Sequence, residues 1–182
     1  MRPLPPPPLS LLGLLAALPA AATAKFTLSH PTAFTSDSTS QSQPPCGASS
    51  LVHKSSSGFY VHGDAVAVVT AGDGAGILIR ATIDELGAGA NWTNLFPVVA
   101  QVGGGKFCEP LVPAPVEWAG LEGVVQVIES GEEGLSYQCA PVIFRATRGG
   151  SITTYCSNGT DVTGSFATDP RLPSDGTDIS TA

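Results

Sequence analysis

Leu121-Glu122-Gly123-Val124-Val125-Gln126-Val127-Ile128-Glu129 alternates. Val125, Val127 and Glu129 fall on one side of an extended chain; Val124, Gln126 and Ile128 fall on the other. Side chains repeat every two residues along a strand, so this stretch predicts a strand in a sheet. Glu132-Glu133-Gly134 reads as a turn, and Leu135–Ala146, with Tyr137, Cys139, Val142, Ile143 and Phe144, as the next strand.

The pattern continues upstream in shorter pieces. Lys25–His30 is an extended candidate with Phe26 and Leu28 on one side, ended by Pro31. Residues 31–57 are rich in Ser, Thr, Pro and Gln and read as a long surface loop tied down at Cys46. Phe59–Val61 and Ala65–Thr70 are strands around a bend at His62-Gly63-Asp64. Ala71–Gly76 is a hairpin turn, Ile77–Ile83 a β-branched strand, and residues 84–94 are irregular with one helical turn at Asp84-Glu85-Leu86. Phe96–Val102 is an apolar run closed by the turn Gly103-Gly104-Gly105, and Phe107-Cys108-Glu109-Pro110 opens a proline-containing loop. Ser151–Cys156 is a last short strand, and residues 161–182 form a disordered polar tail. Short strands between Gly, Pro and Asn turns, without alternating helices, indicate an all-β sandwich.

Composition agrees. The chain has 182 residues with 21 Gly and 16 Pro, and only 13% are charged. Its formal net charge is −7, which argues against nucleic acid or an anionic membrane surface as a partner. Arg2, the apolar run Leu9–Leu18 and the small residues Ala22-Thr23-Ala24 make residues 1–24 a secretory signal peptide. The apolar run is too short for a permanent membrane span. Residues 25–160 then form one domain beginning at Lys25. Cys46, Cys108, Cys139 and Cys156 imply two disulfides in an exported chain, with three pairings open. Asn91-Trp92-Thr93 and Asn158-Gly159-Thr160 are glycosylation acceptors suited to that compartment.

Other chemistries find little support. Ala71–Gly76 lacks the Gly-Lys-Ser/Thr of a phosphate loop. Glu132 and Glu133 are adjacent, whereas glycoside hydrolysis needs carboxyls facing each other across a cleft. No Gly-x-Ser-x-Gly elbow occurs. Trp92 and Trp118 lie too far apart in sequence to claim a carbohydrate platform; Trp92 reads as partly exposed and Trp118 as packed.

Several fragments in order carry a resemblance: Lys25-Phe26-Thr27-Leu28 with Pro31, Pro45-Cys46-Gly47, Ser57-Gly58-Phe59, His62 before Asp64-Ala65-Val66, Lys106-Phe107-Cys108-Glu109-Pro110, and Tyr137-Gln138-Cys139-Ala140. From Lys25 to Asn158 the chain resembles the fungal copper-acquisition-factor family, exported and often surface-anchored proteins similar in fold to lytic polysaccharide monooxygenases. The resemblance implies an immunoglobulin- or fibronectin-like β-sandwich with Cys46 paired to Cys156 and Cys108 to Cys139. The first of these crosslinks would close about 110 residues, restricting the unfolded chain by roughly 4–5 kcal/mol.

It also implies one copper ion held by an N-terminal histidine, a second histidine at the start of a central strand, and an aspartate after Gln-Cys-Ala. Here the second position is His62, the first is Lys25 and the third is Pro141. Imidazole suits copper. A lysine ammonium, with an ordinary pKa of about 10.4, must lose a proton to bind, and proline offers no side-chain donor. A two-histidine alternative joins His62 to His30, with the Lys25 α-amine, if the first strand lies alongside. The bland reading of His62 is a polar residue at a bend.

The resemblance therefore implies a secreted or cell-surface, non-catalytic glycoprotein with a degenerate copper site, taken here as a monomer. Its partners would be copper and cell-wall or surface components. The alternative is a cell-wall or surface binding module that has lost copper; an oxidative polysaccharide monooxygenase ranks last, because the terminal histidine is missing. Relatives often carry a glycolipid anchor; the apolar tail that signals one is not visible after Asp178-Ile179-Ser180-Thr181-Ala182.

Overall fold

A computed structural model describes Met1 and residues 25–34, 39–48, 56–84, 90–147 and 156–179. The leader, Ser151–Tyr155 of the expected last strand, Glu85-Leu86 of the expected helical turn and His53 of the expected surface loop lie outside these residues.

The strands are β1 (Phe26–His30), β2 (Ser57–Tyr60), β3 (Asp64–Thr70), β4 (Gly74–Thr82), β5 (Thr93–Asn94), β6 (Val99–Val102), β7 (Gly105–Val112), β8 (Glu122–Gly131), β9 (Gly134–Arg145), β10 (Thr163–Phe166) and β11 (Thr177–Asp178). Among the described residues a single 3₁₀ turn, Val116–Trp118, interrupts them. One sheet has three strands in the order β1-β3-β7. The other has eight: β10-β6-β4-β8-β9-β2, with β5 beside β4 and β11 beside β5. The fold is an all-β, two-sheet sandwich, as the alternation predicts.

The core lies between the sheets. Phe26, Leu28, Val66, Val68 and Phe107 enter from the smaller sheet, and Ile77, Ile79, Val125, Val127, Val142 and Phe144 from the larger. Trp118 packs on Phe144 with ring centroids 5.1 Å apart. At about 25 cal/mol per Å² these side chains supply the main drive to fold. Glutamines bridge the sheets at one end. Gln138 accepts a hydrogen bond from Leu28 N–H at 2.6 Å, and Gln101 Nε2 donates to Thr70 Oγ1 at 2.6 Å. Both Gln138 and the Gln101 Nε2 are paired in this way, while Gln101 Oε1 is buried without a hydrogen-bond partner among the described residues.

The turns differ from expectation. Ala71–Gly76 is not a hairpin: only residues 71–73 turn, and they carry the chain from β3 in one sheet to β4 in the other. Gly103-Gly104 makes a second crossing, from β6 to β7. The stretch read as a proline-containing loop is part of β7, an edge strand. Proline is tolerated there because one side of the strand has no ladder partner.

The disulfides are Cys46–Cys139 and Cys108–Cys156, with Cα separations of 5.2 and 5.3 Å, which corrects the pairing implied by the resemblance. Face alternation gives the reason. Ala140 and Val142 point into the core, so Cys139 points out of the larger sheet, where it packs with Phe34, Val124 and Cys46. Cys108 sits on the outer side of the smaller sheet with Ala65, Ala67 and Cys156. Cys108 and Cys139 therefore face away from each other across the core. The loops closed are 93 and 48 residues, worth about 4 to 5 kcal/mol each in the chain-entropy picture.

The expected tail beyond Asp161 is also corrected over its described part. β10 pairs antiparallel with β6, and β11 pairs parallel with β5. Leu172 is buried against Leu78, Ile128 and Tyr137 on the outer face of the larger sheet. Arg171 binds Asp169 and donates to Gly131 O at 3.1 Å. Loop residues 39–48 are less superficial than expected, since Gln41 is 2% exposed.

Candidate metal centre

Lys25 precedes β1, and its carbonyl accepts from Ala71 N–H at 2.9 Å, beyond the Thr70 end of β3. Its backbone N–H donates to Gln41 Oε1 at 3.0 Å, and its ammonium donates to Glu133 O at 3.1 Å. The carboxylate of Glu133 lies 3.9 Å from the same ammonium. A second, buried carboxyl feels the Lys25 charge. Glu129 is 4% exposed, continuing inward the face of Val125 and Val127. Burial pushes its carboxyl up to about 7, and the Lys25 charge partly opposes that.

His62 lies at the other end of β3. It is exposed in the bend after β2, where Gly63, at φ +121°, donates its N–H to Tyr60 O and packs under Leu111. β3 runs seven residues between this bend and the Lys25 end, which at about 3.3 Å per residue sets the two sites roughly 20 Å apart. Pro141 occupies a third place. Tyr60 pairs with Arg145, so Pro141 lies four residues back along β9, roughly 13 Å from that end of the pairing. It pairs with Val124 and follows the inward-facing Ala140.

Of the expected pairs, β1 does lie alongside β3, and this brings His30 to the His62 end. The partner it meets is Asp64: His30 Nε2 is 3.8 Å from Asp64 Oδ1. Asp64 is 1% exposed and accepts from Tyr60 N–H at 3.1 Å and Ala65 N–H at 2.8 Å, so its carboxylate fixes the bend that carries His62. Among the described residues no three His, Cys, Asp or Glu side chains converge on one point.

Sequence reasoning missed two features. The phase of Glu129 with Val125 and Val127 was the available signal for its burial. No local pattern signalled Arg80, which is 5% exposed, lies 4.7 Å over the ring of Trp92, and binds Gln126 and Asp175. Trp92 is buried, not partly exposed. Asn91 and Asn158 are exposed. Asn91 donates to Asp84 Oδ2 first through its backbone N–H, at 2.8 Å, and then through Nδ2, at 2.9 Å, and these bonds hold the Asp84 carboxyl below its usual range. Asn158 Oδ1 accepts from Cys108 N–H at 2.9 Å.

Residues 23–161 match the family model described as copper acquisition factor BIM1-like. No curated protein matches the chain. Among the described residues no helix is long and apolar enough to cross a membrane. Measured against a copper ion held by two histidines and a carboxylate, Lys25, His62 and Pro141 do not fit: one has an imidazole, one has no donor, and the strands hold them apart.

Proposed function

The chain belongs to the BIM1-like copper acquisition factor family, and from that premise we propose that it is a secreted or cell-surface, non-catalytic glycoprotein whose copper site is degenerate. The observation that carries this reading is the setting of Lys25. Where the family resemblance implies an N-terminal histidine, this residue presents an ammonium engaged by Glu133 and a backbone nitrogen engaged by Gln41. An ammonium is a donor, not a ligand, until it loses its proton. Pro141 in place of an aspartate supports the same reading, and exposed Asn91 and Asn158 support glycan attachment.

Two measurements on protein recovered from its own secretion route test it. N-terminal sequencing is expected to begin at Lys25. Elemental analysis is expected to give copper well below one ion per chain. A mature chain beginning with histidine, or stoichiometric copper retained through dialysis, would overturn the reading. Oxidised sugar ends released from polysaccharide by copper-loaded protein would overturn its non-catalytic part.

A further inference from the structure

Three small residues stand in one row across the larger sheet. Gly76 on β4 pairs with Ala100 on β6 and with Ser130 on β8. Ile77, Val99 and Val127 face the core, so Gly76, Ala100 and Ser130 face outward. Gly74, the next outward position on β4, also lacks a side chain. On the other flank Leu78 and Ile128 fill the outer face beneath Leu172. The sheet therefore steps down from a packed apolar surface to bare backbone.

The C-terminal segment walls this step. Asp169 lies over Gly76, where a Cβ would come within 2.6 Å of Asp169 Oδ2. The Asp169 side chain is 12% exposed. Arg171 donates to it through Nε at 3.0 Å, Nη2 at 2.8 Å and its backbone N–H at 3.0 Å. These bonds fix the carboxylate and hold it down to about 2. Beside them lies a recess of about 480 Å³, within the roughly 300–1,000 Å³ of small-molecule sites. Asp169 and Arg171 lie beyond residues 23–161, the stretch that matches the family model.

Ser130 makes the floor reactive to a guest. It is 1% exposed and lines the recess beside Asp169, yet its Oγ closes no hydrogen bond among the described residues. A buried hydroxyl in that state favours an occupant that bonds it. The charges narrow the choice. Arg171 offsets Asp169, and exposed Glu132 leaves the lining with one net negative charge, which disfavours an anion. Among the described residues no three His, Cys, Asp or Glu side chains converge to hold a metal. An apolar guest would strip Ser130 and Asp169 of water and return no hydrogen bond. A neutral molecule rich in hydroxyls, each both donor and acceptor, meets all of these conditions.

We propose that this recess binds a neutral sugar, its ring on the bare backbone at Gly74 and its hydroxyls bonded to Ser130 Oγ and the Asp169 carboxylate. An open site with no aromatic ring to stack on holds such a ligand weakly, with a dissociation constant on the order of 0.1–10 mM.

Titration of the isotope-labelled protein with cellotriose, laminaritriose and N-acetylated chitotriose, followed by amide resonances, tests it. At least one sugar is expected to give saturable shifts at Gly74, Gly76, Ser130 and Thr168. Ser130→Ala removes only the hydroxyl and is expected to weaken binding about three- to tenfold. Ala100→Leu fills the floor and is expected to abolish it, while Val116→Lys, at an exposed site away from the recess, leaves it unchanged. The spectra show whether each variant is folded; should Ala100→Leu not fold, Ser130→Ala decides. The measurement needs no copper, so its outcome is separable from that of the copper test. No saturable shift with any of the three sugars at about 20 mM overturns the proposal. So does binding that Ser130→Ala leaves unchanged, or shifts at these residues with ethanolammonium chloride and with none of the sugars.

Discussion

Arg80 Nη1 donates to Asp175 Oδ1 at 2.7 Å, joining a central strand to the C-terminal segment across 95 positions of sequence. Arg80 also rests on Trp92 and donates through Nε to Gln126 Oε1, while Gln126 Nε2 donates to Pro45 O. The outer face of the larger sheet is thereby tied to both the Cys46 loop and the C-terminal segment. The two partners should not be equivalent. The Asp175 side chain is 65% exposed, so Asp175→Ala is expected to cost at most about 1 kcal/mol. Arg80→Ala leaves Gln126 without a buried donor and removes the stacking on Trp92, at roughly 2–4 kcal/mol. Urea unfolding of the two variants checks the ratio.

Leu172 extends that attachment by packing. It is 7% exposed among Leu78, Ile128 and Tyr137, so Leu172→Ala is expected to cost about 2–3 kcal/mol. A cost under about 0.5 kcal/mol by thermal unfolding, the range of an ordinary surface change, would mean that the segment does not seat there.

Glu129 gives the stability a pH dependence of defined sign. Its folded carboxyl is raised from 4.5 to about 7 by burial. The folded state therefore holds a proton that the unfolded state has released between those values, and stability falls as pH rises from about 4.5 through 7. The full cost, on the order of 3 kcal/mol, is present above pH 7. Glu129→Gln is expected to flatten the profile and raise stability at pH 8. Lys25→Met removes the opposing charge and should shift the fall to higher pH, visible in unfolding midpoints across a pH series.

Peptide mapping without reduction should recover Cys46 linked to Cys139 and Cys108 linked to Cys156. Replacing either pair by serine is expected to cost about 2–5 kcal/mol. Recovery of a Cys46–Cys156 peptide would contradict the face assignment of both sheets.

Much of the sandwich was legible because period-two patterning is local. The Val125–Val127 face and the Glu132-Glu133-Gly134 turn needed only neighbouring residues. What escaped depended on partners far along the chain. Thr163–Phe166 has no apolar alternation and becomes a strand only because β6 offers an edge. Pro110 argued for a loop until the edge position of β7 made it tolerable. Residues 71–73 resemble any hairpin turn; the sheet change is set by where β3 and β4 find their partners. At the candidate site the bend holding His62 was legible, but the contacts of Lys25 to Gln41 and Glu133 span 16 and 108 positions and left no local trace.

The most direct test of the central claim is titration of the processed protein with Cu(II), read by electron paramagnetic resonance. The account predicts no stoichiometric submicromolar site, and only weak signals sensitive to His62→Ala. One ion per chain bound below micromolar concentration, with nitrogen hyperfine structure from two imidazoles, would contradict it.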